Sequence, residues 1–442
     1  MEHAAAELPV WSALPFLVLL LSIAVMPTVA AHWWESNLRR AIVTAAITLP
    51  FLAWWLGTRG VEGQAQLLHS FEDYLAFIAL LGSLYVISGG IHVAGSLSGT
   101  PLANTGLLAI GAVLANLIGT TGASMVLLRP LLRANRHRRR QTHLVVFFIF
   151  VVSNTAGLLT PLGDPPLYLG FLQGVPFEWT LRLLPEWLVV NGLLLVVFNV
   201  VDQKALARDE RETRAPLLEE VQQHGPVRID GALNVAFLVG IALVALARGR
   251  GWGHGGRPWP FGVAEAVFAA LALAAWFTTS PALRAANRFT FAPMVEVAVL
   301  FCGVFLTMTA PLRMLNEHGA GLGLTEPWQC FWMSGLVSAV LDNAPTYLSF
   351  AVTLAGRLGI GVDTPRYLAQ VAGGEGAELL AAISCGSVFM GALTYVGNGP
   401  NFMVKSMAES AGVRMPTFFG YLRWSFPILL PLFALVTWIF FL

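Results

Sequence analysis

The chain has 442 residues, of which 56% are hydrophobic and 12% charged. Soluble domains carry about 25% charged residues, so this sequence lacks the polar surface of a water-soluble fold and reads as an all-α polytopic membrane protein. A net charge of +1 excludes the basic excess of a nucleic-acid-binding protein, and Cys302, Cys330 and Cys385 have neither disulfide nor metal spacing.

Glu2 and Glu7 precede the first apolar run and no Lys or Arg does, so that run is expected to be a retained span and not a signal peptide. Spans are predicted near 9–30, 40–57 and 74–94. Trp33, Trp34, Trp54 and Trp55 are predicted to anchor at the membrane interface. The next apolar stretch, 102–132, has a polar centre, Asn116-Leu-Ile-Gly-Thr-Thr-Gly. Its apolar halves of ~10–14 residues suit a re-entrant hairpin better than a span. The run 144–172 is interrupted by Thr160-Pro-Leu-Gly-Asp-Pro-Pro166, where Pro and Gly break the helical hydrogen-bond ladder. A span at 183–201 leads into a mixed-charge linker, 202–230.

The second half repeats this order. Spans are predicted near 231–248, 261–279 and 290–310. The last of these carries Glu296 after Pro293, readable equally as a proton relay or as an interfacial helix cap. A second hairpin, 331–355, has Asp342-Asn343-Ala344-Pro345-Thr346 at its centre. The run 378–408 is interrupted by Thr394-Tyr-Val-Gly-Asn-Gly-Pro400, and 418–441 is the last span. Both interruptions read Thr-x-x-Gly-[Asp/Asn]-x-Pro, and each follows a hairpin with Asn at its tip. The expectation is about ten spans and two hairpins in two repeats, 1–201 and 231–442, joined by the cytoplasmic linker 202–230. Five spans per repeat is an odd number, so the repeats have inverted topology. Arg129, Arg133, Arg136, Arg138, Arg139 and Arg140 place the loop after the first hairpin inside, and about 18 of the 26 Lys and Arg then fall inside, as the positive-inside rule requires.

Acids within membrane segments are expensive and mark function by default. Asp164, in the first break, and Asp342, at the second tip, are the main candidates. The plain alternative for either is to cap a half-helix. Aligning the tips as Ala115-Asn116 with Asp342-Asn343, and the breaks as Asp164 with Asn398, gives each half one carboxylate from swapped positions. Asn116, Asn343, Asn398, Thr120, Thr160 and Thr394 complete a set of hard oxygen ligands suited to Na⁺. No Lys or Arg lies at a tip or break, which favours a cation or proton over a polyanion. No P-loop or dinucleotide fingerprint occurs, so neither ATP-driven transport nor an enzyme is expected, and no cofactor.

These four motifs, Asn116 to Pro130, Leu159 to Pro166, Leu341 to Thr346 and Tyr395 to Asn401, resemble the ion transporter superfamily, and within it the NhaD-type sodium/proton antiporter branch, citrate-transporter-like. Arsenite efflux permeases and divalent anion/sodium symporters are more distant relatives. The resemblance covers about residues 70–410. It implies a homodimer in which each protomer has a scaffold domain and a transport domain built from the hairpins and broken helices. The symporters carry Ser-Asn-Thr at their tips, which this chain lacks there. Its Ser153-Asn154-Thr155 lies before the break, a partly coincidental match. The expected activity is Na⁺/H⁺ antiport by a multi-pass protein of the bacterial plasma membrane. Its alternatives are sodium- or proton-coupled transport of citrate or another carboxylate, arsenite efflux, and a channel or sensor.

Overall fold

The computed structural model describes residues 8–95, 98–213, 228–257 and 259–442, apart from the side chains of Thr28 and Ala31. Glu2, Glu7 and residues 214–227 of the expected linker lie outside them. The helices are α1 (Leu14–Val29), α2 (Ala31–Trp34), α3 (Asn37–Ser88), α4 (Pro101–Ala134), α5 (Thr142–Val151), α6 (Pro165–Leu172) and α7 (Leu184–Thr213). After these come α8 (Leu233–Arg250), α9 (Val263–Thr278), α10 (Pro281–Ala286), α11 (Ala292–Thr307), α12 (Thr309–His318) and α13 (Pro327–Ser338). The chain closes with α14 (Asn343–Arg357), α15 (Tyr367–Gly373), α16 (Ala377–Met390), α17 (Gly399–Ser410) and α18 (Phe418–Phe440). Two short strands, β1 (His92–Ala94) and β2 (Arg228–Asp230), pair antiparallel with His92 opposite Asp230.

Among the described residues six helices are long and apolar enough to cross a membrane, or up to eight if each of two bent pairs is one span. A helix in lipid exposes apolar side chains, so lipid contact is read from where the large ones are bare. On α1 these are Leu14, Leu17, Val18, Leu21 and Val25, and on α8 Val235, Val239 and Leu243. In contrast, every residue of α5 from His143 to Val151 is buried, and so is every residue of α16 from Leu379 to Met390. A helix apolar all round and buried all round belongs at the centre of the bundle.

The region expected as a loop between 57 and 74 is helical, and α3 doubles back within it. At Gly60 the backbone takes φ 54° and ψ −131°, a conformation that a Cβ would strain. Asn37 donates to the Ala292 carbonyl at 3.3 Å, and Tyr85 donates to the Thr290 carbonyl at 2.8 Å. Both ends of α3 therefore meet the start of α11, and its two limbs run antiparallel along that helix. The turn draws Trp55 inward. Trp34 and Trp55 are both buried in the protein, which corrects the expectation that they face the interface.

The chain also doubles back within α4, at Gly119 (φ 77°, ψ 155°). Asn104 and Asn135, near opposite ends of α4, exchange amide hydrogen bonds of 3.0 and 2.8 Å. In the second half α13 and α14 form a like pair, with Arg357 donating to the Leu324 carbonyl. The base of the first hairpin is fixed by buried charge. Asp202 of α7 accepts from Arg138 at 2.5 Å, Asn104 at 2.9 Å and His143 at 2.7 Å. Ahead of the start of α7, Trp179 donates to the Ala372 carbonyl at 3.0 Å, and Leu368 N donates to the Gln173 carbonyl at 3.1 Å. The Arg138 loop and the 356–374 segment thus occupy opposite ends of the bundle, separated by the length of α7.

Candidate functional site

The two interruptions share one local construction. In the first, a side chain on Gly163 would collide with the Gly157 carbonyl, and in the second, one on Gly397 would collide with that of Gly391. Only glycine lets the backbone pinch this tightly. Each break is tied to a hairpin tip by its threonine. Thr160 Oγ1 donates to the Asn116 carbonyl, and Thr394 Oγ1 to the Ala339 carbonyl at 2.6 Å. These bonds correct the register of the tips. Asn116 corresponds to Ala339, Thr120 to Asn343 and Gly119 to Asp342, four residues away from the pairing of Asn116 with Asn343.

Each break and each tip starts a new half-helix. The α6 helix starts after Asp164 and α17 after Asn398. The second limb of α4 starts at Thr120, and α14 starts at Asn343. Asp164 occupies the N-cap position of α6, yet its side chain accepts no hydrogen bond from that helix. Its Oδ1 instead accepts from Thr120 Oγ1 at 3.1 Å and from Asn398 Nδ2 at 3.2 Å, and its Oδ2 accepts from Asn343 Nδ2 at 2.5 Å. One carboxylate, 1% exposed, thus gathers a donor from each of the other three motifs. All three donors are neutral. The starts of the half-helices add partial positive charge around it.

Asn343 has a further feature. Its amide nitrogen is committed to Asp164, while its Oδ1 is buried with no hydrogen-bond partner among the described residues. A buried, unpaired carbonyl oxygen costs roughly 1–3 kcal/mol. Beside a carboxylate, it is an oxygen ligand ready for a hard cation.

The other expected residues lie differently. Asp342 caps its own helix, accepting from Ala344 N at 3.1 Å, although it is near enough to act electrostatically on Asp164. Asn116 is spent on the backbone, accepting from Leu159 N at 2.8 Å and donating to the Ala112 carbonyl at 2.9 Å. Thr160 and Thr394 brace the tips as described. Glu296 is apart from all of these, paired with Arg40 at 3.0 Å and about one-third exposed. His92 meets Asn287 Oδ1 at 2.8 Å.

Asn154 and Asn401 are not among the expected site residues. Asn154 donates to Asn401 Oδ1 at 2.7 Å and accepts from Asn398 Nδ2 at 3.2 Å. Asn398 also donates to the Ser153 carbonyl. The Ser153-Asn154-Thr155 triplet, set aside as partly coincidental, therefore lies against the carboxylate's own donor. Its signal was an amide at the end of an otherwise apolar run, where a polar group must find a partner.

The sequence matches, over residues 5–441, the model of the family described as "Putative citrate transport". The chain belongs to this family. It is thus a multi-pass membrane protein of secondary-transporter type. No curated protein matches the chain. The family covers both hairpins and both breaks, so the Asp164 cluster lies within the matched region.

Proposed function

We propose that this member of the citrate-transport family is a cation-coupled secondary transporter that exchanges Na⁺ for H⁺ at Asp164. The observation that carries this reading is the convergence of Thr120, Asn343 and Asn398 on one buried carboxylate, without a Lys or Arg among its hydrogen-bond partners. A charge held among apolar helices must be matched. Here the matching partner is mobile, either a proton on the carboxylate or a Na⁺ that also takes Asn343 Oδ1. Because the two compete for one site, presenting it alternately to each side exchanges the ions. In this reading the tip-and-break units are the inverted repeats 1–201 and 231–442 joined by 202–230, with Na⁺ and H⁺ as cargo. The working unit is a homodimer in the bacterial plasma membrane.

The family match favours a second reading, in which citrate travels with the cation. Half-helix starts attract anions, and a trianion without a basic partner would need the bound cation to neutralise it. One measurement separates the two. Proteoliposomes carrying a trapped pH dye receive Na⁺ and then citrate. Antiport predicts that Na⁺ alone moves protons and that citrate changes nothing. Saturable uptake of labelled citrate, with no proton movement on Na⁺ alone, would overturn it in favour of symport.

A further inference from the structure

At the Arg138 end of the bundle lies a cavity of about 960 Å³, formed where the loop after α4, the last turns of α7, the segment after α17 and the start of α18 meet. Among the described residues its lining has no acidic side chain. Two of its arginines are already matched, Arg138 by Asp202, and Arg140 by Asp209 and Glu212. Of the rest, Arg136 donates to His137 Nε2 at 2.8 Å, and Arg139, Lys204, Arg208 and Arg414 are exposed and form no ion pair among the described residues. A concave site lined by one sign of charge concentrates the opposite sign. These four cations fit a phosphate-bearing anion.

The pattern along α7 says what the anion is attached to. Val196, Val200, Lys204 and Arg208 follow one another at four-residue spacing, which stacks them on one helix face. Val196 and Val200 are 61% and 45% exposed, so the stripe is bare apolar surface that turns basic at its end. Trp424 and Val413 form the apolar part of the cavity wall. A soluble anion has no use for an apolar stripe beneath the basic one, whereas a lipid fits both. The positive-inside rule also puts this arginine-rich end against the leaflet that carries the anionic lipids.

We propose that this cavity binds the headgroup of an anionic phospholipid, with an acyl chain laid along Val196 and Val200 and the phosphate held by Arg139, Lys204, Arg208 and Arg414.

The test is native mass spectrometry of the purified full chain titrated with phosphatidylglycerol or phosphatidylcholine, with inorganic phosphate added in a separate arm. The expected result is preferential retention of phosphatidylglycerol, with affinity falling about fivefold for each charge removed in K204Q and R208Q. The charge-preserving pair K204R and R208K should retain it. Equal binding of phosphatidylcholine, unchanged binding by K204Q/R208Q, or full displacement by inorganic phosphate would overturn the lipid assignment, the last in favour of a soluble anion. Should the Gln variants fail to fold, the wild-type salt series decides. Phosphatidylglycerol binding must weaken as NaCl rises while phosphatidylcholine binding does not, and parallel behaviour of the two lipids would sink the proposal.

Discussion

The two tip-and-break units are built alike and loaded differently. Both pinch on a glycine pair, and both tie the break threonine to a tip carbonyl. In the first unit the acid stands in the break, ignores the helix it precedes and reaches the other three motifs. In the second unit the acid stands at the tip and binds the amide of its own helix, while the break carries the neutral Asn398. A buried acid in a membrane segment is therefore not a site by position alone. What decides is whether its oxygens are spent locally or directed into shared space.

The comparison breaks most sharply on the acids themselves. Asp164→Asn keeps the shape and removes the titrating charge, so Na⁺-driven proton movement should fall to background in proteoliposomes. Activity near wild type would end the distinction between the units. Asn343→Ala removes a hydrogen bond to a charged group, about 1.5–3 kcal/mol, so the apparent Na⁺ affinity should drop roughly 10- to 150-fold. Competition between one proton and one Na⁺ gives a sign as well. As pH falls, the Na⁺ concentration for half-maximal exchange should rise, by up to about tenfold per pH unit where the protonated form dominates. A flat pH profile would separate the proton from this site. The shared construction is tested by Gly163→Ala and Gly397→Ala, each expected to destabilise by about 1–3 kcal/mol through overpacking, read as matched losses in thermal unfolding in detergent. The smallest effect belongs to Asp342→Asn. Asn and Asp cap about equally well, so exchange should stay within about twofold of wild type.

The breaks were legible because Pro and Gly cannot sit within a regular helix unnoticed, and Asp164 was legible because a lone acid in an apolar run demands an explanation. Three things were not. The tip register depends on which carbonyl Thr160 and Thr394 reach, a three-dimensional fact that residue matching at Asn116 and Asn343 misjudged by one helical turn. Asn154 and Asn401 find each other across 247 positions, and no local pattern links them. The polar stretch between the second and third spans looked like a loop, since Arg59, Glu62 and Gln64 are hydrophilic. Helix formation there is set by its neighbours, and Arg313 of α12 pairs with Glu62.

The turn at Gly60 bears on how the protein enters its membrane. With no loop between the limbs of α3, the first limb cannot settle across the bilayer and wait for the second, because the nascent chain offers no slack between them. The pair should partition into lipid together, as one helical hairpin. A protease site grafted between Thr58 and Val61 would then interrupt biogenesis itself, where the same graft between α7 and β2 would leave insertion intact.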